Sequence, residues 1–116
     1  MNFTKPNGKR RVVITGGGMI TALGRDWPAA FKQLQSGKNC IRYMKDWERF
    51  EKMNTRLACP YEGELPTYPR KKIRGMGRVA LLSLVSTEDA LKMAGLLKED
   101  GDVIDECKNG RTGIAY

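Results

Sequence analysis

The chain has 116 residues, 41% of them hydrophobic and 29% charged, which is one small domain's worth of sequence. That apolar content is too high for a disordered tail, and no run suffices for a bilayer span: the longest, Val79 to Val85, is interrupted by Ser83. Lys and Arg number 21 against 13 Asp and Glu, a net charge of +8 that favours an anionic partner without choosing between nucleic acid, an acidic protein and an anionic surface.

Residues 1–10 read as a flexible polar N-terminus, with Pro6, Asn7 and Gly8 as breakers. Their positive charge precedes no apolar segment, so they do not form a secretory signal. Arg11 to Thr15 (RVVIT) reads as a buried strand that stops at Gly16-Gly17-Gly18. Trp27, Phe31 and Leu34 then share one helical face, with Asp26 as the cap, Pro28 in the first turn and Gly37 as the stop. Residues 38–69 are irregular. Trp47, Phe50 and Met53 suggest one short helical stripe, and Arg56 to Cys59 a brief strand, while Pro60, Pro66 and Pro69 argue against a long helix.

A basic run, RKKIRGMGR (residues 70–78), leads into a strong helix predicted from about Met76 to Ala94. Its apolar residues occupy nearly every face of the first turns, which predicts burial on all sides. Gly95 and Leu96 provide the C-terminal stop. Asp100 to Lys108 reads as a short acidic helix, and Thr112 to Tyr116 (TGIAY) as the start of a second buried strand. So greasy a helix needs more partners than these elements supply, since a domain of this length buries only about two-thirds of its unfolded surface. The chain therefore reads as a fragment of a larger α/β protein.

The glycine run tests a dinucleotide reading. The Rossmann fingerprint needs GxGxxG, but here Gly16 and Gly18 are followed by Thr21 where the third glycine belongs, and no GxxxxGK[ST] loop occurs. The turn is read as structural, with glycines permitting close backbone packing, and no cofactor is expected. Histidine is absent, which excludes Ser-His-Asp and Cys-His catalysis within this chain and mixed cysteine–histidine zinc sites; without a CxxC pair, no metal site is expected. Cys40, Cys59 and Cys107 are odd in number and widely spaced, so they make no disulfide framework and fit a reducing cytoplasm. They are read as ordinary thiols.

Five features in order resemble β-ketoacyl-acyl-carrier-protein synthases of the 3-oxoacyl-ACP synthase II-like kind. VVITGGGMITALG (Val12 to Gly24) is similar to the family's N-terminal strand and turn. Trp27, Phe31 to Leu34 and Ser36-Gly37 resemble its first helix, and Lys71 to Arg78 its basic segment. Ala80 to Leu96 resembles the helix ending in "DAL..AGL", and Arg111 to Tyr116 the next strand. Gly75 and Gly77 depart from the family's usual basic and acidic residues, and Asn39 to Leu57 fits poorly.

The resemblance implies an α/β architecture, the N-terminal part of a thiolase-like αβαβα fold, incomplete in this chain, with the synthase domain over residues 11–116. It implies decarboxylative Claisen condensation of an acyl thioester with malonyl-carrier protein by a homodimer, using a cysteine at a helix start and two histidines. None of those three positions lies in this chain, so no catalytic residue is assigned and the chain alone is expected to be inactive. A chain-length-factor-like subunit and a basic interaction module with an acidic partner remain open. By position, Lys71 and Arg74 are the residues that would dock the acidic acyl carrier protein; the alternative is a solvated charged face. Nucleic acid is disfavoured, because no aromatics interleave the cations, and no membrane partner is expected.

Overall fold

The computed structural model describes residues 7–115, so residues 1–6 of the expected flexible N-terminus, and Tyr116, lie outside it. In chain order the elements are α1 (Trp27–Gln35), β1 (Arg42–Tyr43), a 3-10 turn (Lys45–Arg49), β2 (Leu57–Ala58), α2 (Arg70–Ile73), α3 (Arg78–Met93) and a second 3-10 turn (Asp105–Lys108).

α1 starts, and both long helices stop, where local chemistry dictates. Asp26 caps α1 by accepting the Ala29 amide at 2.8 Å, with Pro28 in the first turn, where a missing N–H costs nothing. At its C-terminus Gly37 takes φ +70°, its amide bonds Leu34 O at 3.0 Å, and Lys38 N bonds Gln33 O at 3.2 Å. At the end of α3 the pattern repeats: Gly95 has φ +70°, its amide reaches Lys92 O at 3.0 Å, and Leu96 N reaches Leu91 O at 2.9 Å. These paired bonds satisfy carbonyls the helix cannot, and only glycine enters the left-handed region cheaply.

Strands depart from expectation. β1 and β2 pair antiparallel, Arg42 opposite Ala58 and Tyr43 opposite Leu57, so the brief strand near Arg56 is present and its partner was not foreseen. Residues 11–20 and 111–115 join no strand, and Val12, Ile14 and Ile114 are 92%, 94% and 84% exposed. A strand is stabilised by its neighbours' hydrogen bonds and side chains, and among the described residues no other strand lies beside either run. The stripe through Trp47, Phe50 and Met53 shortens to the 3-10 turn Lys45–Arg49, and the acidic helix contracts to Asp105–Lys108, behind a Leu97–Val103 bridge. 3-10 geometry rarely propagates further.

α3 is only partly covered, as expected of a helix that needs more partners than this chain supplies: Val85 is fully buried, but Val79 is 78% exposed and Met93 73%. Among the described residues the fully buried apolar set is Ala30 and Val85. The surface measures 10209 Å², where a compact monomer of this 13.0 kDa mass exposes about 6300 Å². The radius of gyration, 19.0 Å, exceeds the roughly 13 Å of a compact chain of this length. The helices are formed but only partly covered.

Candidate functional site

The best-built contact is between the glycine run and α3. A Cβ at Gly18 would collide with the carbonyl of Ser86 and come to 3.0 Å of the Ala90 nitrogen; one at Gly16 would collide with the carbonyl of Ala90 and come to 2.9 Å of the Ala94 nitrogen. Gly17 between them faces open space. Residues 16 and 18 therefore meet the helix along Ser86, Ala90 and Ala94, spaced four apart on one face. Small residues on both sides allow backbone to approach backbone. This is the structural role read from the sequence.

Two polar ties hold the same turns of α3. Arg25, just before α1, makes a bidentate ion pair with Asp89, Nε to Oδ2 at 2.9 Å and Nη2 to Oδ1 at 3.0 Å. This hydrogen bonding raises the guanidinium's pKa above its ordinary value. One residue earlier, Glu88 accepts the Tyr68 hydroxyl at 2.7 Å. Burial, then the Glu88 carboxylate, push the Tyr68 phenol up to about 12. At the start of α3, Arg78 donates to the Tyr61 carbonyl at 2.6 Å. Both carboxylate ties escaped the sequence reading. The available signal was that Glu88 and Asp89 are the sole acidic residues of α3.

The basic segment hangs between these ties. α2 is a single turn introduced by Pro69, whose carbonyl accepts the Lys72 amide at 2.8 Å. Arg70, Lys71, Lys72 and Arg74 are all exposed, and among the described residues none of them forms a salt bridge. Lys71 and Arg74 thus lie together on one exposed basic segment. Gly75 follows at φ +87°, turning the chain toward α3.

The cysteines are scattered. Cys40 is half-buried and donates to Ala22 O at 3.5 Å, Cys107 is half-buried, and Cys59 is exposed. Cys40 lines a groove of about 530 Å³ with residues 21–25 and 60–63, where Arg42 is paired with Glu62. Among the described residues no group of three His, Cys, Asp or Glu is arranged to hold a metal ion. What the described residues build is a helix seated on a glycine turn, carrying a cationic segment on its flank.

Residues 9–113 match the family described as "Beta-ketoacyl synthase, N-terminal domain". The chain is 34% identical over 92 residues to Nodulation protein E of a Rhizobium species, covering 75% of this chain and 22% of that protein. It is 32% identical over 110 residues to 3-oxoacyl-[acyl-carrier-protein] synthase 1 of Haemophilus influenzae, covering 90% of this chain and 24% of the relative. A crystal structure of a beta-ketoacyl synthase from Burkholderia phymatum superposes with a TM-score of 0.70 at 44% identity, over 76% of this chain and 22% of that one. The chain belongs to the beta-ketoacyl synthase family, through its N-terminal domain. Its fold is the α/β, thiolase-like fold of that family, of which it carries the N-terminal part. It spans about a quarter of the length of the curated relatives it matches, 22% and 24% for these two.

Proposed function

We propose that the chain is the N-terminal segment of a β-ketoacyl-ACP synthase, in which it supplies scaffold and a docking surface for an acidic acyl carrier protein. In the reaction assigned to the full-length protein, a malonyl thioester loses carbon dioxide. The resulting carbanion attacks the carbonyl carbon of an acyl thioester, and the thiol departs. With no histidine in its sequence, the chain contributes no Cys–His pair to this chemistry and is inactive alone. Full length, the reading includes a homodimer in the cytoplasm; the three free cysteines fit a reducing compartment.

The observation that carries the docking role is the exposed basic segment, whose Lys71 and Arg74 have no anionic partner among the described residues. The Haemophilus relative is named for the acyl carrier protein, which supplies the partner. Surface cations of this kind steer encounter with an acidic protein more than they add contact energy, and they act within a Debye length of about 8–10 Å at physiological salt.

The test is kinetic. In the full-length synthase, Lys71→Glu with Arg74→Glu is expected to raise the apparent KM for carrier-bound malonyl substrate about tenfold at low salt, with the gap closing as salt rises. The 116-residue chain alone is expected to condense nothing. An unchanged KM removes the docking role, and turnover by the chain alone removes the assignment of the chemistry to the longer protein.

A further inference from the structure

The basic segment is tied to α3 at both ends, as an arch is to its feet. One foot is Arg78, the first residue of α3; the other is Tyr68, tied by its hydroxyl to Glu88 at 2.7 Å. Arg78 and Glu88 are ten positions apart on α3, which at about 1.5 Å per residue sets the feet roughly 15 Å apart. The chain from Tyr68 to Arg78 could reach about 33–36 Å if extended. The arch therefore has slack, and covalent connection alone does not fix its attitude.

The two feet differ in stiffness. At the α3 end the chain passes through Gly75, at φ +87°, and Gly77, and a Cβ at either would meet nothing within 4 Å. Glycine gives the backbone on that side of the turn its widest range of φ and ψ, up to the Gly77 carbonyl that accepts the Leu81 amide at 3.1 Å. At the other end Pro69, with φ −55°, separates Tyr68 from α2 and accepts the Lys72 amide at 2.8 Å. The proline ring locks φ at position 69, so fewer backbone freedoms separate Tyr68 from the turn that bears Lys71 than separate that turn from α3. The neighbouring Arg25–Asp89 pair pins the same turn of α3 to the residues before α1, so Glu88 is itself a fixed anchor.

The geometry points to Tyr68 and Glu88 as a positioning pair: their hydrogen bond sets the attitude of the arch and so the placement of Lys71 and Arg74 toward an acidic carrier protein. This rests on the docking reading above and adds the device that makes it directional. Neither residue touches substrate in this scheme. Burial keeps the Tyr68 phenol protonated, with its pKa pushed up to about 12, so it remains a donor across the physiological range.

The full-length synthase tests this with two substrates, malonyl-carrier protein and a malonyl thioester of a short carrier-free thiol. Tyr68→Phe keeps the ring and deletes the bond. It is expected to raise the KM for malonyl-carrier about three- to fivefold, the effect of one lost hydrogen bond, while kcat and the KM for the carrier-free thioester stay unchanged. Glu88→Ala should reproduce this, Glu88→Gln should restore near-normal KM by keeping an acceptor oxygen, and combining Tyr68→Phe with Glu88→Ala should add nothing further. Hydrogen exchange supplies a readout independent of turnover: in Tyr68→Phe the amides of residues 70–76 should exchange faster, with those of α3 unaltered.

Equal KM changes on both substrates, or unaltered KM and exchange in Tyr68→Phe, would overturn the positioning role even where Lys71→Glu with Arg74→Glu weakens carrier use. An unchanged KM in that double variant removes the docking reading itself, and the positioning role with it.

Discussion

The C-terminal half of α3 and its first turn meet opposite fates, although the N-terminal half is the more apolar, with six apolar residues of eight in 78–85 against three of eight in 86–93. In the C-terminal half, Ser86, Ala90 and Ala94 meet the backbone of Gly16 and Gly18, and Glu88 and Asp89 bind Tyr68 and Arg25. In the first turn, Arg78, Val79 and Ala80 are exposed, with Val79 at 78%. Helix hydrophobicity sets only a capacity for burial. Which turns realise it depends on what comes to meet them, and along Ser86, Ala90 and Ala94 that is a run of glycines, allowed against the helix by small residues on both surfaces.

The sharpest way to break this contrast is to add a methyl group at the contact. Gly18→Ala places a Cβ on the Ser86 carbonyl, which is backbone and cannot swing aside. It is expected to destabilise the fold by about 3 kcal/mol in urea denaturation. Gly17→Ala, facing open space, is expected to change stability by less than about 0.5 kcal/mol. Similar losses at both positions would mean that conformational freedom, rather than close approach, explains the glycines.

Next in size is the difference between two valines on one helix. Val85→Ala removes a fully buried side chain and should cost about 2 kcal/mol, whereas Val79→Ala, at a position 78% exposed, should cost about 0.5 kcal/mol or less. A large loss at Val79 would show that the first turn of α3 is covered in solution. The Arg25–Asp89 pair is about one-third exposed on each side, 34% and 27%, so a double-mutant cycle with alanine should return a coupling of about 1 kcal/mol.

A further effect is expected in alkali. The Tyr68 phenol has its pKa raised from 10.0 to about 12 in the folded chain, so the folded state holds this proton more tightly than the unfolded state. The resulting stability is fully present below pH 10 and is lost as pH rises toward about 12. Tyr68→Phe should flatten that part of the stability–pH curve. In a spectrophotometric titration, deleting Tyr68 should remove a late-ionising phenol; an unchanged curve would mean that Tyr68 ionises freely and is not held by Glu88.

Much of the local structure was legible in residue order. Asp26 before Trp27 and Pro28, and the glycines at 37 and 95, mark helix ends because caps and left-handed stops are settled within a few residues. The missing third glycine, with Thr21 in its place, correctly pointed to a structural turn. β1 escaped notice because two residues, Arg42 and Tyr43, carry no periodicity. α2 escaped because a four-residue turn of Arg, Lys, Lys and Ile looks like any basic loop. Of the candidate site, the exposed basic segment that carries Lys71 and Arg74 was reachable from residue order, and the docking proposed for it comes from family resemblance. The anchoring of their segment was not, because Tyr68 and Glu88 stand 20 residues apart.

By itself, then, the sequence determined the family, the positions of α1 and α3, the cap of α1 and the glycine stops of both helices, the structural character of the glycine turn and the cationic character of residues 70–78. These follow from side-chain chemistry and spacing over a few residues. Only the tertiary structure decided which turns of α3 are packed, that the valine-rich run at 12–14 joins no strand among the described residues, and that Arg25 and Asp89, 64 residues apart, close on one another. Each of these depends on whether a distant segment arrives as a partner. A side chain's own chemistry states what it can bind or bury, and the folded path of the rest of the chain decides whether it does.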